Sequence, residues 1–373
     1  MRRLECLIAL IALSLAAPLG PAASIEHASQ TVLLLPAGQD ALAPSAETPA
    51  AAVPLQAPTP FLAVAAEWRL GSGAETQPVI TLHAGDAQGE ALAPVRLRQD
   101  PHLSEPQTHL FSQLVILPAD TERVWLQATH PAAVASIELH FISPGAGQAF
   151  DPGLAPEQSG PRQIVAKPPV VTRTQWDNPF GQEPNFVPRY RETTHLIVHH
   201  TATSNYGRHH NWAATVRAIW SYHTNTRGWD DIGYNFLIDP NGVIYEGRAG
   251  GDDVVGAHFS CANSGTMGVA LLGTFSDRAP TDDAQTALVE LLAWKCAQKG
   301  LNPLARSFHP GTELSLEVIS GHRDANRSRA PGACPSGTVC PGAVLYSRLP
   351  DIRVQTQRVI DEAVPVDDFE LHP

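Results

Sequence analysis

Charge is sparse in this chain and uneven where it occurs. Only 17% of the 373 residues are charged, 25 basic against 37 acidic, for a formal net charge of −12. No basic stripe runs through the sequence, which argues against a nucleic-acid partner, because such proteins cluster Lys and Arg on one face. Long apolar runs are missing after the first two dozen residues, so a multi-span membrane protein is excluded. Cysteine is missing from residues 25–165, so no disulfide ties that stretch together. What is present is a globular balance: 43% hydrophobic residues exclude a mostly disordered chain. The length suggests two domains with a linker, and the 33 prolines, many in the first half, belong to linker and loop.

The first 24 residues read as an address. Arg2 and Arg3 form a short basic region, Leu7 to Leu19 an apolar core, and Ala22-Ala23-Ser24 a small-residue cleavage site. That is the pattern of a signal peptide cut after Ser24. An uncleaved anchor is the alternative, but the apolar run is short for a span. Cys6 stands too early to be a lipidated N-terminus. Cleavage leaves 23 basic and 36 acidic residues, and the expected location is secreted or periplasmic.

Residues 25–143 carry short apolar stretches separated by Pro, Gly and polar residues, among them Phe61 to Ala65, Val79 to Leu82, Leu110 to Leu117 and Val124 to Ala128. Ser136 to Phe141 alternates with period two, as a half-buried strand does. The expectation is an all-β, sandwich-like domain with an Ala/Pro-rich insertion over 37–60. Nothing in it looks like chemistry; a partner-binding module and plain scaffolding fit equally. Residues 144–170 form a Pro/Gly-rich linker.

From residue 171 the texture changes, with five of the seven Trp and most of the His. Thr194 to His199 predicts a strand, Asn211 to Asn225 a helix, Gly233 to Ile238 and Val243 to Glu246 a hairpin about Asp239-Pro240-Asn241-Gly242, and Met267 to Leu272 a buried strand. Thr281 suits an N-cap, Asp282 and Asp283 a first turn, and Gly300 a helix stop. Val318 to Ser320 is a short strand and 342–361 a last helix. Helix and strand alternate over 171–362, so the fold class is α/β with a central mixed sheet flanked by helices; 363–373 is a tail.

Histidines and a cysteine fall where such strands end. His199 and His200 close one strand, His322 follows another, and Cys340 comes eighteen residues later. Two imidazoles and a thiolate make a three-ligand zinc site with a fourth place open. Such a site lowers the pKa of water to about 7 and polarises a carbonyl. Each residue alone also fits a structural role.

Six motifs then occur in one order: Ile197-Val198-His199-His200-Thr201-Ala202, the segment Arg227 to Phe236 (RGWDDIGYNF), Tyr245-Glu246-Gly247-Arg248, Gly256-Ala257-His258, Gly321-His322-Arg323-Asp324, and Thr338-Val339-Cys340-Pro341-Gly342. Over residues 170–355 the chain resembles the peptidoglycan recognition proteins, which belong with the type 2 zinc-dependent N-acetylmuramoyl-L-alanine amidases. The resemblance implies one Zn2+ on His199, His322 and Cys340. It also implies a tyrosine beside the metal, Tyr234, and a polar residue two places before the cysteine, Thr338. It implies a groove contacted by His223, Arg227, His258 and Asn263. Gly228-Trp229 matches the pair that accompanies meso-diaminopimelate in the third stem position, and Arg248 would meet its extra carboxylate. The implied reaction is hydrolysis of the amide between N-acetylmuramic acid and L-alanine. Alternatives are a recognition module that binds muropeptide without cutting it, and a recycling amidase for small anhydro-muropeptides.

The chain departs from the family at one point: the His and Cys ligands usually lie about eight residues apart, and Cys334 intervenes here. Cys334-Pro335-Ser336 imitates the motif, but Thr338 and Gly342 favour Cys340, making 325–337 an insertion. Of the remaining cysteines, Cys296 and Cys334 are the preferred disulfide in an oxidising compartment, leaving Cys261 unpaired, with buried free thiols as the alternative. His209, His210, His309 and His372 look like loop residues without a role.

Overall fold

The computed structural model describes residues 25–32, 55–56, 61–71, 77–86, 93–100, 109–118, 120–128, 133–145, 165–207, 210–328 and 337–363. The expected leader, most of the 37–60 insertion, most of the 144–170 linker, His209, Cys334 and nearly all of the tail lie outside these residues.

Among the described residues, nine strands precede residue 144: β1 (Glu26–Val32), β2 (Leu55–Gln56), β3 (Ala63–Leu70), β4 (Ile80–Asp86), β5 (Val95–Arg96), β6 (His109–Phe111), β7 (Val115–Ile116), β8 (Thr121–Ala128) and β9 (Val134–Ser143). They form two antiparallel sheets, β1-β9-β3-β6 with β7 beside β3, and β2-β8-β4-β5. Period-two alternation decides which side chains face inward. Val64, Ala66 and Trp68 of β3 meet Ile137, Leu139 and Phe141 of β9 and Leu82, Val124 and Leu126 in one core. The intervening Ala63, Ala65 and Ile142 belong to a different core, shared with Trp212, Val216 and Trp220. One sheet of the sandwich is thus covered on both faces, and the alanines let the second partner approach closely.

That partner is the C-terminal α/β region. Its sheet runs β10-β13-β12-β14-β11-β17, from β10 (Val170–Val171), β11 (His195–His200), β12 (Phe236–Ile238), β13 (Ile244–Glu246), β14 (Thr266–Leu271) and β17 (Ile319–Gly321). β11 lies parallel to both β14 and β17, and β12 and β13 form the antiparallel hairpin. Helix α1 (Trp212–Ser221), continued by a π-turn at Tyr222–Thr226, covers one face together with Leu237, Tyr245 and Ala270. Helices α2 (Asp282–Lys299) and α3 (Ala343–Ala363) cover the other, against Val198, Phe236, Ile238 and Val269. Local chemistry sets the helix ends. Asn211 Oδ1 accepts the Ala214 N–H at 3.1 Å, Thr281 Oγ1 accepts that of Ala284 at 3.2 Å, and Gly300 closes α2 at φ 62°. A hairpin of β15 (Arg306–His309) and β16 (Leu314–Glu317) was not anticipated.

Sandwich and α/β region meet through polar contacts as well. Tyr206 Oη donates to Ile116 O at 2.8 Å, Arg217 Nε to Pro144 O at 2.6 Å, and Tyr222 Oη reaches Asp100 Oδ2 at 2.8 Å. Among the described residues, no helix is long and apolar enough to cross a membrane.

Candidate metal centre

The centre stands at the carboxyl ends of β11 and β17, where open α/β sheets place their ligands. Alternation along β11 separates its two terminal histidines. His200 shares a face with Leu196 and Val198, toward α2, and its Nδ1 accepts the Phe275 N–H at 3.3 Å. His199 shares the opposite face with Ile197 and points toward His322, which opens a 3-10 turn (His322–Arg327) directly after β17. Cys340 arrives from the segment before α3. One donor atom each from His199, His322 and Cys340 lies within 4.8 Å of the others, and all three residues are fully buried.

His199 and Cys340 are held from behind. His199 Nδ1 is 3.6 Å from Cys340 Sγ, and its other nitrogen, Nε2, is 3.0 Å from His258 Nδ1. A partner on the far nitrogen fixes the orientation of a metal-binding imidazole. The His258 ring fits only because Gly256 and Gly268 flank it: a Cβ would come within 2.5 Å and 2.4 Å of it. The His200 N–H points at Cys340 Sγ at 3.4 Å. The Cys340 N–H donates to Thr338 Oγ1 at 3.0 Å, and Asn326 bonds both Thr338 O (2.8 Å) and Thr338 N (3.2 Å). Thr338 therefore shapes the cysteine loop. Two imidazoles and one thiol, buried and mutually in range, are a donor set that suits zinc.

Tyr234 lies against this centre, its ring 5.4 Å from that of His199. Burial pushes its phenol pKa well up, with Cys340 and Asp100 adding to the effect, so the hydroxyl keeps its proton.

The expected groove residues divide. His223 accepts the Gly233 N–H on Nδ1 (3.2 Å), stacks on Trp229 at 4.6 Å and lies 5.8 Å from Tyr234, so these three stand together. Asn263 Oδ1 takes the amides of His258 (2.7 Å) and Phe259 (2.8 Å), and its Nδ2 donates to Ser260 O; its side chain holds its own loop. Arg248 is buried, with Asp230 at 3.6 Å and the Phe186 ring at 4.5 Å, and burial lowers its pKa. The Arg227 guanidinium lies 3.8 Å from the centre of the Phe111 ring, on the β-sandwich.

The sandwich supplies what sequence reasoning missed. Asp100, Gln113 and Leu114 line a small cavity with Tyr222, His223 and Tyr234. Arg96, Arg98, Gln113 and Leu114 form one wall of a larger one, about 390 Å³, whose other wall includes His200, Thr203 and Val339. No local motif marks these residues; only the sheet's second apolar face hinted that something docks there.

Two cysteine expectations are overturned. Cys261 is disulfide-bonded, and Cys296 is a free thiol, buried in α2 with its pKa pushed up to about 12 by burial. Its side chain is enclosed in the hydrophobic core beneath α2. His309 is no loop residue either: it sits buried on β15, edge-on to His195 at 5.0 Å.

A family model described as N-acetylmuramoyl-L-alanine amidase matches residues 189–343. Peptidoglycan-recognition protein SC2 of Drosophila simulans is 30% identical over 170 residues, 46% of this chain and 84% of that protein. The chain belongs to the peptidoglycan recognition protein family. A Sus scrofa N-acetylmuramoyl-L-alanine amidase is 37% identical over 252 residues, 63% of this chain but only 36% of that protein. The crystal structure of the Drosophila peptidoglycan recognition protein SD is 28% identical and covers 48% of this chain and 91% of its own, with a TM-score of 0.38. The family model, over residues 189–343, does not include Asp100 and Gln113.

Proposed function

We propose that this chain is a secreted, zinc-dependent N-acetylmuramoyl-L-alanine amidase. On this reading it hydrolyses the amide between the lactyl group of N-acetylmuramic acid and L-alanine of the stem peptide. The carrying observation is the triad His199, His322 and Cys340, with donors within 4.8 Å of one another and no exposure. Non-catalytic members of the family typically lose the cysteine, and this chain keeps it. A zinc ion on these donors would supply Lewis-acid polarisation of the scissile carbonyl and acidification of a water molecule.

The chain's own residues would do the rest. Tyr234, kept protonated by burial, donates a hydrogen bond to the oxygen on which negative charge develops. His258 holds the His199 ring, and Thr338 holds the Cys340 amide. The stacked His223 and Trp229 form a floor for the stem peptide. Trp229 and Arg248 support a preference for meso-diaminopimelate in its third position; Arg248 would need to exchange the exposed Asp230 for the ligand's carboxylate.

The test is zinc analysis of purified protein together with a digest of diaminopimelate-type peptidoglycan. One catalytic zinc and release of free stem peptide are expected. Muropeptide binding without release would leave the recognition module as the function. Cleavage of soluble fragments but not intact sacculi would point to the recycling amidase.

A further inference from the structure

A second set of donors stands on the β-sandwich. Glu67 of β3 and Glu138 of β9 are direct cross-strand partners in the antiparallel register. His140, two residues along β9, shares the face of Glu138. Two carboxylates directly opposed across a sheet repel each other, and such pairs destabilise it unless something neutralises them. One donor atom each from Glu67, Glu138 and His140 lies within 4.8 Å of the others.

His140 supplies a second, independent sign. It is 6% exposed, and neither ring nitrogen has a hydrogen-bond partner. Its Nε2 points at Glu67 Oε2 from 3.6 Å, too far for a hydrogen bond. A buried imidazole left so is uncommon in a native fold and calls for a missing partner. Around this core, His109 Nε2 hydrogen-bonds Glu67 Oε1 and steadies that carboxylate. The His27 ring stacks on His140 at 5.3 Å, and His27 Nε2 meets Thr226 Oγ1 at 3.1 Å. Thr226 ends the π-turn that carries His223.

We propose that Glu67, Glu138 and His140 form a second divalent-cation site, at the seam between the β-sandwich and the amidase fold. Two carboxylates and an imidazole suit zinc or a similar transition-metal ion better than calcium or magnesium, which favour all-oxygen shells. A cation there would neutralise the opposed carboxylates and clamp β3 to β9 beside the contact between His27 and Thr226. Its role is structural and does not depend on the amidase reading.

The test counts zinc in the full chain after chelator stripping and reloading with Zn2+. The wild type should hold two ions, Cys340→Ala one, and Cys340→Ala with Glu138→Gln none. Zinc should also raise the melting temperature of Cys340→Ala but not that of the double variant. Glu138→Gln is isosteric and relieves the carboxylate repulsion, so the fold should persist; circular dichroism checks it, and Glu67→Gln serves as a second variant. A Cys340→Ala protein without zinc, or a double variant that keeps as much as Cys340→Ala, overturns the site. One ion in the wild type that survives Cys340→Ala would uphold this site while removing the catalytic one.

Discussion

The two halves of the molecule present the same kind of material differently. In the amidase half, the groups gathered at the candidate metal centre sit in short motifs at strand ends: His199 closing β11, His322 following β17, Tyr234 just before β12. In the sandwich, the groups that reach the same cleft, Asp100, Gln113 and Leu114, sit between short strands and belong to no motif. The difference lies in what fixes each residue. A ligand at a strand end is positioned by its own backbone, and the local sequence has to encode that. A wall contributed from another domain is positioned by docking, and docking leaves its trace only in face-by-face burial, as in Ala63, Ala65 and Ile142.

The comparison breaks most sharply at Cys340. Cys340→Ala should abolish hydrolysis, a loss of more than about 10³-fold, because the donor set falls to two imidazoles. Cys334→Ala should leave the catalytic zinc in place. Stem-peptide release and metal content read both; equal zinc loss in the two variants would show that the motif, rather than the cleft, had been misjudged.

Much of the amidase half was legible for physical reasons. The hairpin about Asp239 to Gly242, the Thr281 cap and the Gly300 stop are local chemistry, and they appear where turn and cap preferences place them. The choice of His199 over His200 came with the family resemblance, and the alternation of β11 supplies its physical reason. Helix α1 ends at Ser221 and gives way to a π-turn, although helical spacing runs on to Asn225. The β15–β16 hairpin escaped because Arg306 to His309 is neither strongly apolar nor cleanly alternating, and the register is set by pairing. The sandwich strands were legible from alternation, as in β9, but their role at the cleft was not.

A broader test asks whether the amidase half answers to acid through its core. His309 has its pKa pushed down to about 4, chiefly by burial and then by neighbouring His195. The unfolded chain, with His near 6.5, binds this proton first as the pH falls. Stability is therefore fully present above pH 6.5 and drains away between 6.5 and about 4, by on the order of 3 kcal/mol. Urea unfolding across that window should show the slope, and His309→Gln should flatten it. An unchanged slope would mean that other groups dominate.

Tyr234 sharpens the contrast at the cleft itself. Tyr234→Phe should keep zinc and the stacked His223 and Trp229 while slowing hydrolysis by roughly 10²-fold, the usual effect of removing one oxyanion donor. The loss should fall on kcat more than on KM, since the bond strengthens as charge develops. Unchanged turnover would take Tyr234 out of the mechanism.

The smallest expected effect tests whether the two halves act as one. Tyr222, buried on the π-turn, places its hydroxyl 2.8 Å from Asp100 Oδ2 and 2.8 Å from Ser112 O, both on the sandwich. Burial raises its pKa well above the usual phenol, and Asp100 raises it further, so the group is a permanent donor. Tyr222→Phe keeps the ring and its packing but withdraws a hydrogen bond from a buried carboxylate. The cost should be about 2 kcal/mol. If the halves unfold together, the whole denaturation curve moves by that amount. If they are independent, the melt splits in two, with the sandwich losing its anchor first. The split would also unseat Arg227 from Phe111 and open the cleft wall, so substrate affinity would fall with the metal centre intact. A single transition with unaltered KM would mean that the sandwich's contribution to the cleft rests on its apolar face, through Ala63 and Ala65 in one core with Trp220 of α1, rather than on this bond.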